Sequence, residues 1–347
     1  MIKLYGFSLI RNAIKYDYSF KEALLSMAPL VQYSVVAVGN SEDETLKAAN
    51  EIPNIKVVET VWNQDLKQGL VLSDETNKAL SALRSSISKD DLKSAWGIYL
   101  QADECLHEED FEILRHDIEE AERGGYDAIM FSYLHFWQTH HFIATAKRWY
   151  PHEVRAIKLD STIESWGDAQ GFRHYKKPFY SRARIYHYGH VRDPKVYLKK
   201  MEDMSALYSK NATESKYYNA KDRDKKDDHQ CVFYWGTHPQ VMHERILRLG
   251  DVLELPQREE VYIVGNPVEI NPHFLSRLNV AQIHWVDSLA KVPSDKKKLA
   301  VKLHASLMDK LLGKTHVPEK MRSKHAKPWS PEFLLLLKLS EKGFGFK

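Results

Sequence analysis

The chain has 347 residues, 43% hydrophobic and 28% charged, with a formal net charge of +3. This length can bury a large core and suits one elaborated domain or two, while so small a charge gives no ground for general polyanion binding. Two cysteines, Cys105 and Cys231, cannot build a disulfide framework and suit a reducing compartment; with no signal-peptide pattern and no apolar run long enough to cross a bilayer, a soluble cytoplasmic protein is expected.

In chain order, residues 2–10 read as a buried strand that ends at the polar turn of Arg11, Asn12 and Ala13. Residues 21–28 have helical apolar spacing and stop at Pro29. Residues 34–39, rich in valine, form a second strand. A turn follows, with Ser41 as a helix cap and Glu44 three residues on. Residues 56–61 are a third strand, and 74–87 a helix opened by Ser73. A fourth strand at 97–101 leads to a helix over 108–123, closed by Gly124 and Gly125. Residues 127–133 are a fifth strand.

Such regular alternation with short links predicts an α/β fold with a mostly parallel sheet flanked by helices. Neither a dinucleotide-binding glycine fingerprint nor a P-loop is present. From 134 the pattern loosens. A short strand is expected at 153–158, a loop at 165–173, and a strand at 182–192. A charged stretch spans 195–230, a turn-helix 235–246, a late strand 261–265, and basic helical sequence 295–345.

The stretch Trp96–His107 carries the chemistry. An apolar strand is cut off by Gln101, Ala102, Asp103 and Glu104. Open α/β sheets bind ligands at the carboxyl ends of their strands, so Asp103 there can hold a divalent cation against a diphosphate. The plainer reading is an acid capping the next helix.

The succession of motifs resembles the GT-A glycosyltransferases, family 2-like, over roughly residues 1–195. It comprises Arg11–Asn12 after strand one, Gly39–Thr45 after strand two, Thr76–Leu80, and Tyr99–Glu104. The resemblance implies a GT-A-type (Rossmann-like) catalytic domain over 1–195 and a mainly helical region over 196–347 on the acceptor side. It implies sugar transfer from a nucleotide-diphosphate sugar, most simply a UDP-sugar, to a glycan or other hydroxyl acceptor. Metal dependence on Mn²⁺ or Mg²⁺ and inversion are part of the same expectation. Two departures stand out: Gln101 replaces the first acid of the family's Asp-x-Asp motif, and Gly39–Asn40 opens a turn that usually begins with an acid.

On this reading Asp103 and His187 are the metal ligands, with Glu104 and His190 as undecided additions. Imidazole favours Mn²⁺; otherwise His187 is a buried histidine on an aromatic strand. Asp168, in a glycine-flanked loop beside Trp166, is the general base, or else caps a turn or pairs with Arg173. Asn12, Asn40, Asp43, Asn77 and Gln101 are donor-site candidates, though Asx residues also favour turns for local reasons. Arg155, Arg173, Arg184 and Arg192 are phosphate-clamp candidates, Arg155 and Arg173 foremost, since guanidinium matches phosphate oxygens; most arginines on such a surface are simply solvated. His135, His140, His141 and His152 match no zinc spacing and are expected to line an acceptor pocket with Trp137, Trp149 and Tyr150. Residues 296–314 space Leu299, Leu303, Leu307 and Leu311 four apart among lysines. That predicts a basic amphipathic helix touching an anionic membrane, or one packing its leucines on the main domain. A modified nucleic-acid base as acceptor, and a non-catalytic sugar- or nucleotide-binding protein of the same fold, are the alternatives.

Overall fold

The computed structural model describes residues 2–63, 65–144, 149–208, 231–234, 237–249, 258–264 and 280–302. Strand β1 (Lys3–Ile10) lies inside a parallel block, with β2 (Ser34–Gly39) and β3 (Ile55–Thr60) on one side and β4 (Ala95–Tyr99) on the other. β1, β2 and β4 are buried almost throughout, which is why they read as near-continuous apolar runs. β3 is the edge and leaves Lys56 and Glu59 exposed.

The other half of the sheet is mixed. β8 (His152–Lys158) inserts antiparallel between β4 and β6 (Ala128–Trp137). β6 runs parallel to the long β11 (Pro178–His190), whose far side pairs antiparallel with β5 (Glu104–Leu106). β7 (Phe142–Ala144) and β12 (Cys231–Phe233) extend the sheet beyond β6. Only β5, β7 and β8 run against the common direction, so the mostly parallel sheet expected from the sequence is present.

Helices cover both faces. On one, α1 (Phe20–Met27), α2 (Thr45–Asn50) and α5 (Phe111–Arg123) pack Leu24, Ala48 and Ile118 against Leu4, Val36 and Ile98. On the other, α3 (Leu70–Ser86) packs Val71, Leu80 and Leu83 against Phe7, Val35 and Tyr99. Each buried valine, leucine, isoleucine or phenylalanine among them contributes about 1.5–3 kcal/mol. The one-turn α4 (Lys89–Leu92) precedes β4 and is capped by Ser88, whose hydroxyl accepts from the Asp91 N–H.

Several local expectations change. α3 starts a turn before Asp74, because Gly69 takes a left-handed conformation (φ 74°) and the Ser73 hydroxyl donates to the carbonyls of Leu70 and Gly167. Ser41 caps no helix; its hydroxyl accepts from the Asn12 N–H and donates to the Gly39 carbonyl. The loop expected at 165–173 is a hairpin of β9 (Glu164–Trp166) and β10 (Gly171–Arg173), turned by Gly167 (φ 60°) and Ala169 (φ 61°). β6 continues through the aromatic stretch to Trp137, since β11 and β7 supply partners there.

The C-terminal region is less helical than expected among its described residues. α6 (Pro194–Tyr208) and α7 (His243–Arg248) are helices, but β13 (Arg258–Val264), β14 (Val280–Val286) and β15 (Ala300–Lys302) form a separate parallel sheet in the order β14-β13-β15. β13 fulfils the late strand expected at 261–265. The expected basic helix over 296–314 begins instead with a 3-10 turn, Ser294–Leu299, and β15; its remainder, with Leu303, Leu307 and Leu311, lies outside the described residues. Among those described, no helix is long and apolar enough to cross a membrane.

Candidate active site

A cavity of about 650 Å³ opens at the carboxyl ends of β1 and β4, the place where α/β sheets bind ligands. Its walls come from the turn after β1 (Arg11, Asn12), the turn after β4 (Gln101–Asp103), the β9–β10 turn (Asp168–Gln170), His187 on β11, and one side of α6. The sequence reading assigns α6 to the C-terminal region, yet its Lys199, Lys200 and Asp203 complete the wall.

The backbone brings Asp103 and His187 together. β5 pairs with β11 so that Glu104 lies opposite His187, and the Tyr188 N–H donates to the Asp103 carbonyl at 2.7 Å. The side chains then face each other, with His187 Nε2 3.8 Å from Asp103 Oδ1. A Cβ on Gly189 would lie 2.6 Å from His187 Nε2 and 2.8 Å from Asp103 Oδ2, so only glycine fits beneath the pair.

Hydrogen bonding fixes the His187 tautomer. His135 Nε2 lies 2.7 Å from the Tyr150 carbonyl and must donate to it, which leaves its Nδ1 as an acceptor. That Nδ1 is 3.0 Å from His187 Nδ1, which therefore donates. Burial pushes both imidazoles below their ordinary value, His135 far below. His187 is thus neutral near pH 7, and its Nε2 lone pair faces Asp103. Metal-binding histidines are oriented in this way by a partner on the other ring nitrogen.

Asp103 is 6% exposed. Lys200 Nζ stands 3.5 Å and Arg192 Nη2 3.7 Å from its Oδ2. Burial pushes the Asp103 carboxyl up, but the surrounding positive charge, that of Lys200 above all, outweighs this and holds it below the usual carboxylate value. Arg192 is anchored by the carbonyls of Tyr16 (2.6 Å) and Gly189 (2.8 Å). Both cations lie over the Tyr18 ring, Arg192 at 4.7 Å and Lys200 at 4.3 Å from its centroid.

Asp103 and His187 therefore make a two-donor set, one carboxylate oxygen and one neutral imidazole nitrogen. It fits a small divalent cation that takes its remaining ligands from water and phosphate. Among the described residues no group of three or more such ligands forms. Glu104 does not join: its carboxylate is fully buried in a two-point ion pair with Arg155, 2.8 Å at each oxygen, and also accepts from the Tyr133 hydroxyl and the Gln101 N–H. His190 packs among Trp137, Trp149 and Tyr197 instead.

The remaining expected site residues divide. Asp168 lines the cavity, on a hairpin tied to the sheet by Gln101 Nε2 donating to the Ala169 carbonyl (3.0 Å) and Arg155 Nη1 donating to the Gln170 carbonyl (2.8 Å). Asn12 and Gln101 line it too, but both brace loops; Asn12 Oδ1 accepts from the Glu42 N–H at 2.8 Å. Asn40, Asp43, Asn77, Arg155 and Arg173 are not in the wall. Asn40 Oδ1 accepts from the Trp62 N–H. Asp43 accepts from the Lys15 and Thr45 N–H groups. Asn77 pairs with the Ser165 backbone through both ends of its amide. Arg155 is the buried partner of Glu104, not an open phosphate clamp, and Arg173 pairs with Glu164 on the exposed hairpin. Of the expected acceptor-pocket aromatics, Tyr150 lines the cavity, whereas His135 backs His187.

Sequence reading missed Lys200, Tyr18 and Trp62. Trp62 lines the cavity with the Arg11 guanidinium 4.9 Å from its ring centroid. Lys200 sits in a charged stretch where nothing local distinguishes it from a solvated lysine.

No family model matches the chain, and no curated protein matches it. Among solved structures it is similar to residues 1–349 of S. aureus TarS in complex with UDP, at 14% identity and TM-score 0.34, covering 59% of this chain and 65% of that one. Against the longer S. aureus TarS structure this chain spans 39% of the length. It is also similar to a 4-diphosphocytidyl-2C-methyl-D-erythritol synthase (12% identity, TM-score 0.29, 46% of this chain and 76% of that one). A third is mouse xyloside xylosyltransferase 1 (15% identity, TM-score 0.24, 38% and 53%). These likenesses are distant, and the chemistry that follows rests on the cavity's own residues.

Proposed function

We propose that the protein is an inverting glycosyltransferase that moves a sugar from a nucleotide-diphosphate sugar, a UDP-sugar foremost, to a hydroxyl acceptor. One observation carries this reading: Asp103 and His187, facing each other over Gly189, share a cavity with the separate carboxylate of Asp168. Asp103 and His187 are the residues to hold Mn²⁺ or Mg²⁺, with imidazole favouring Mn²⁺; such an ion, when bound, offsets the charge growing on the diphosphate.

Asp168 takes the acceptor proton. The acceptor oxygen bonds to the anomeric carbon as the bond from that carbon to the phosphate oxygen breaks, and the electron pair leaves on the diphosphate. Gln101 and Arg155 hold the hairpin that carries Asp168, so both act on geometry. Asn12, Asn40, Asp43 and Asn77 brace the loops of the donor side. We assign donor binding and catalysis to residues 1–195 together with α6, and an acceptor-side or packing role to the rest. The low cysteine count supports a cytoplasmic setting.

Turnover with a panel of nucleotide-sugars and Mn²⁺, with the product anomer read by nuclear magnetic resonance, tests the reading. Asp168→Asn is expected to lower kcat by about 10²–10⁴-fold while UDP binding persists. Retention of configuration would remove Asp168 from the role of base. UDP binding without turnover across the panel would make this a binding protein.

A further inference from the structure

We propose that the outer face of the β9–β10 hairpin is the acceptor subsite, where an uncharged pyranose ring stacks on Trp166 and Glu153 hydrogen-bonds its hydroxyls. The inference deepens the reading above, and rests on it for the sugar's role as acceptor. Side chains alternate along the two strands. Ser165 and Phe172 point inward and are buried, whereas Trp166 on the outer face is 55% exposed. Opposite Trp166 in the register stands Gly171, which puts no side chain against the indole. A Cβ on Gly171 would lie 2.9 Å from Glu153 Oε2 and 4.0 Å from Trp166 Nε1, so an indole N–H and a carboxyl oxygen border one notch. Glu153 is partly exposed. Arg155, Glu104 and Asp168 act on its carboxyl through charge, and none of them hydrogen-bonds it.

Single exposed apolar side chains are ordinary on a protein surface; Trp166 differs in the frame that holds it. Asn77 clamps the Ser165 backbone with both ends of its amide, and the Ser73 hydroxyl donates to the Gly167 carbonyl at 2.7 Å. Gln101 and Arg155 hold the far side of the same turn. A ring fixed in this way is ordered before a ligand arrives, which lowers the cost of binding. The Trp166 carbonyl accepts from the Ala169 N–H at 3.2 Å, so Trp166 and Asp168 belong to one turn. A sugar on the indole thus lies beside the residue that is to take the acceptor proton. The ligand class follows from chemistry. The C–H bonds on a pyranose face are weakly positive and meet the negative face of an aromatic ring, while its hydroxyls pair with a carboxyl. Two carboxyls beside the ring disfavour an anion.

Saturation-transfer nuclear magnetic resonance of the full chain with the methyl pyranosides of glucose, galactose, mannose and N-acetylglucosamine tests this. The parent is compared with Trp166→Ala, Trp166→Phe and Glu153→Ala, with thermal unfolding confirming that each is folded and UDP titration monitoring the donor side. At least one pyranoside is expected to bind the parent through its ring C–H protons. Trp166→Ala is expected to weaken it by about tenfold, the loss of one aromatic contact, and Trp166→Phe to recover part of that loss. Glu153→Ala is expected to weaken it by about 3–10-fold, with UDP affinity unchanged throughout. A pyranoside bound equally by the parent and Trp166→Ala overturns the subsite, as does a parallel loss of UDP affinity in Trp166→Ala. Donor turnover with the acceptor KM unchanged in Trp166→Ala also overturns it, and leaves the transferase reading standing. Trp166-dependent pyranoside binding without sugar transfer across a donor panel keeps the sugar site and removes the transferase. A parent that neither binds a pyranoside nor turns over a donor overturns both.

Discussion

Asp103 and Glu104 are neighbours in the chain and opposites in the fold. Glu104 opens β5, is fully buried, and meets Arg155 at 2.8 Å on both oxygens. Asp103 lies in the turn before it, beside the cavity, with Lys200, Arg192 and His187 all 3.5–3.8 Å away. The first carboxylate is closed on every side by bonds that hold the sheet to the hairpin. The second is surrounded without being closely bonded, an arrangement that leaves it able to exchange partners. One residue step along the chain thus separates a carboxylate locked in short bonds from one that lines the cavity.

The largest effect that tests this contrast is on stability. Glu104→Gln should cost about 3–5 kcal/mol, because it leaves Arg155 buried without its counter-charge. Asp103→Asn, with longer contacts, should cost about 1–2 kcal/mol. Urea unfolding of both variants measures the gap, and equal losses would erase the distinction.

On activity the order reverses. Asp103→Asn should lower transfer by at least about a hundredfold in a protein that remains folded; near-normal turnover with any accepted donor would take Asp103 out of the chemistry.

A third carboxylate sharpens the comparison. Burial pushes Glu153, on the same strand as Arg155, up to about 7 from its ordinary 4.5, against the pull of Arg155. The folded state then holds a proton that the unfolded chain gives up, so stability is highest below pH 4.5 and is lost as pH rises through about 7. Glu153→Gln should remove this loss, worth about 3 kcal/mol above neutrality. Melting temperatures compared at pH 4.5 and 8 check it, and a parent-to-variant difference independent of pH counts against the assignment.

The smallest effect concerns the hydrogen bond behind His187. His135→Phe removes the acceptor that fixes the tautomer and should weaken Mn²⁺ binding in the presence of UDP about 10–100-fold. Electron paramagnetic resonance of free Mn²⁺ reads this directly, and an unchanged affinity would mean that this hydrogen bond does not orient a metal ligand.

Much of the fold was legible because its signals are local. β2 reads as a run of valines, and α1, α5 and the alternation through β6 follow from apolar spacing and breakers. The stretch 165–173 gives only a loop signal in sequence, because the turn of its hairpin depends on left-handed Gly167 and Ala169, the latter a residue with no such preference. The expected donor-site asparagines were misleading for a related reason. Asn40 and Asn77 occupy the strand-end and helix positions a ligand contact would need, but their amides satisfy backbone groups left open by loops packing together.

By itself the sequence determined that an acidic turn ends a buried strand, that this strand belongs to an α/β sheet, and that a histidine-bearing strand follows. Periodicity and turn chemistry act over a few residues, so a short window suffices to read them. Only the tertiary structure decided which of two adjacent acids faces the cavity, and that Lys200, 97 residues further on, stands beside it. Coulomb interactions and hydrogen bonds depend on distance in space. The pairing of β5 with β11 and the return of α6 over the cavity set those distances.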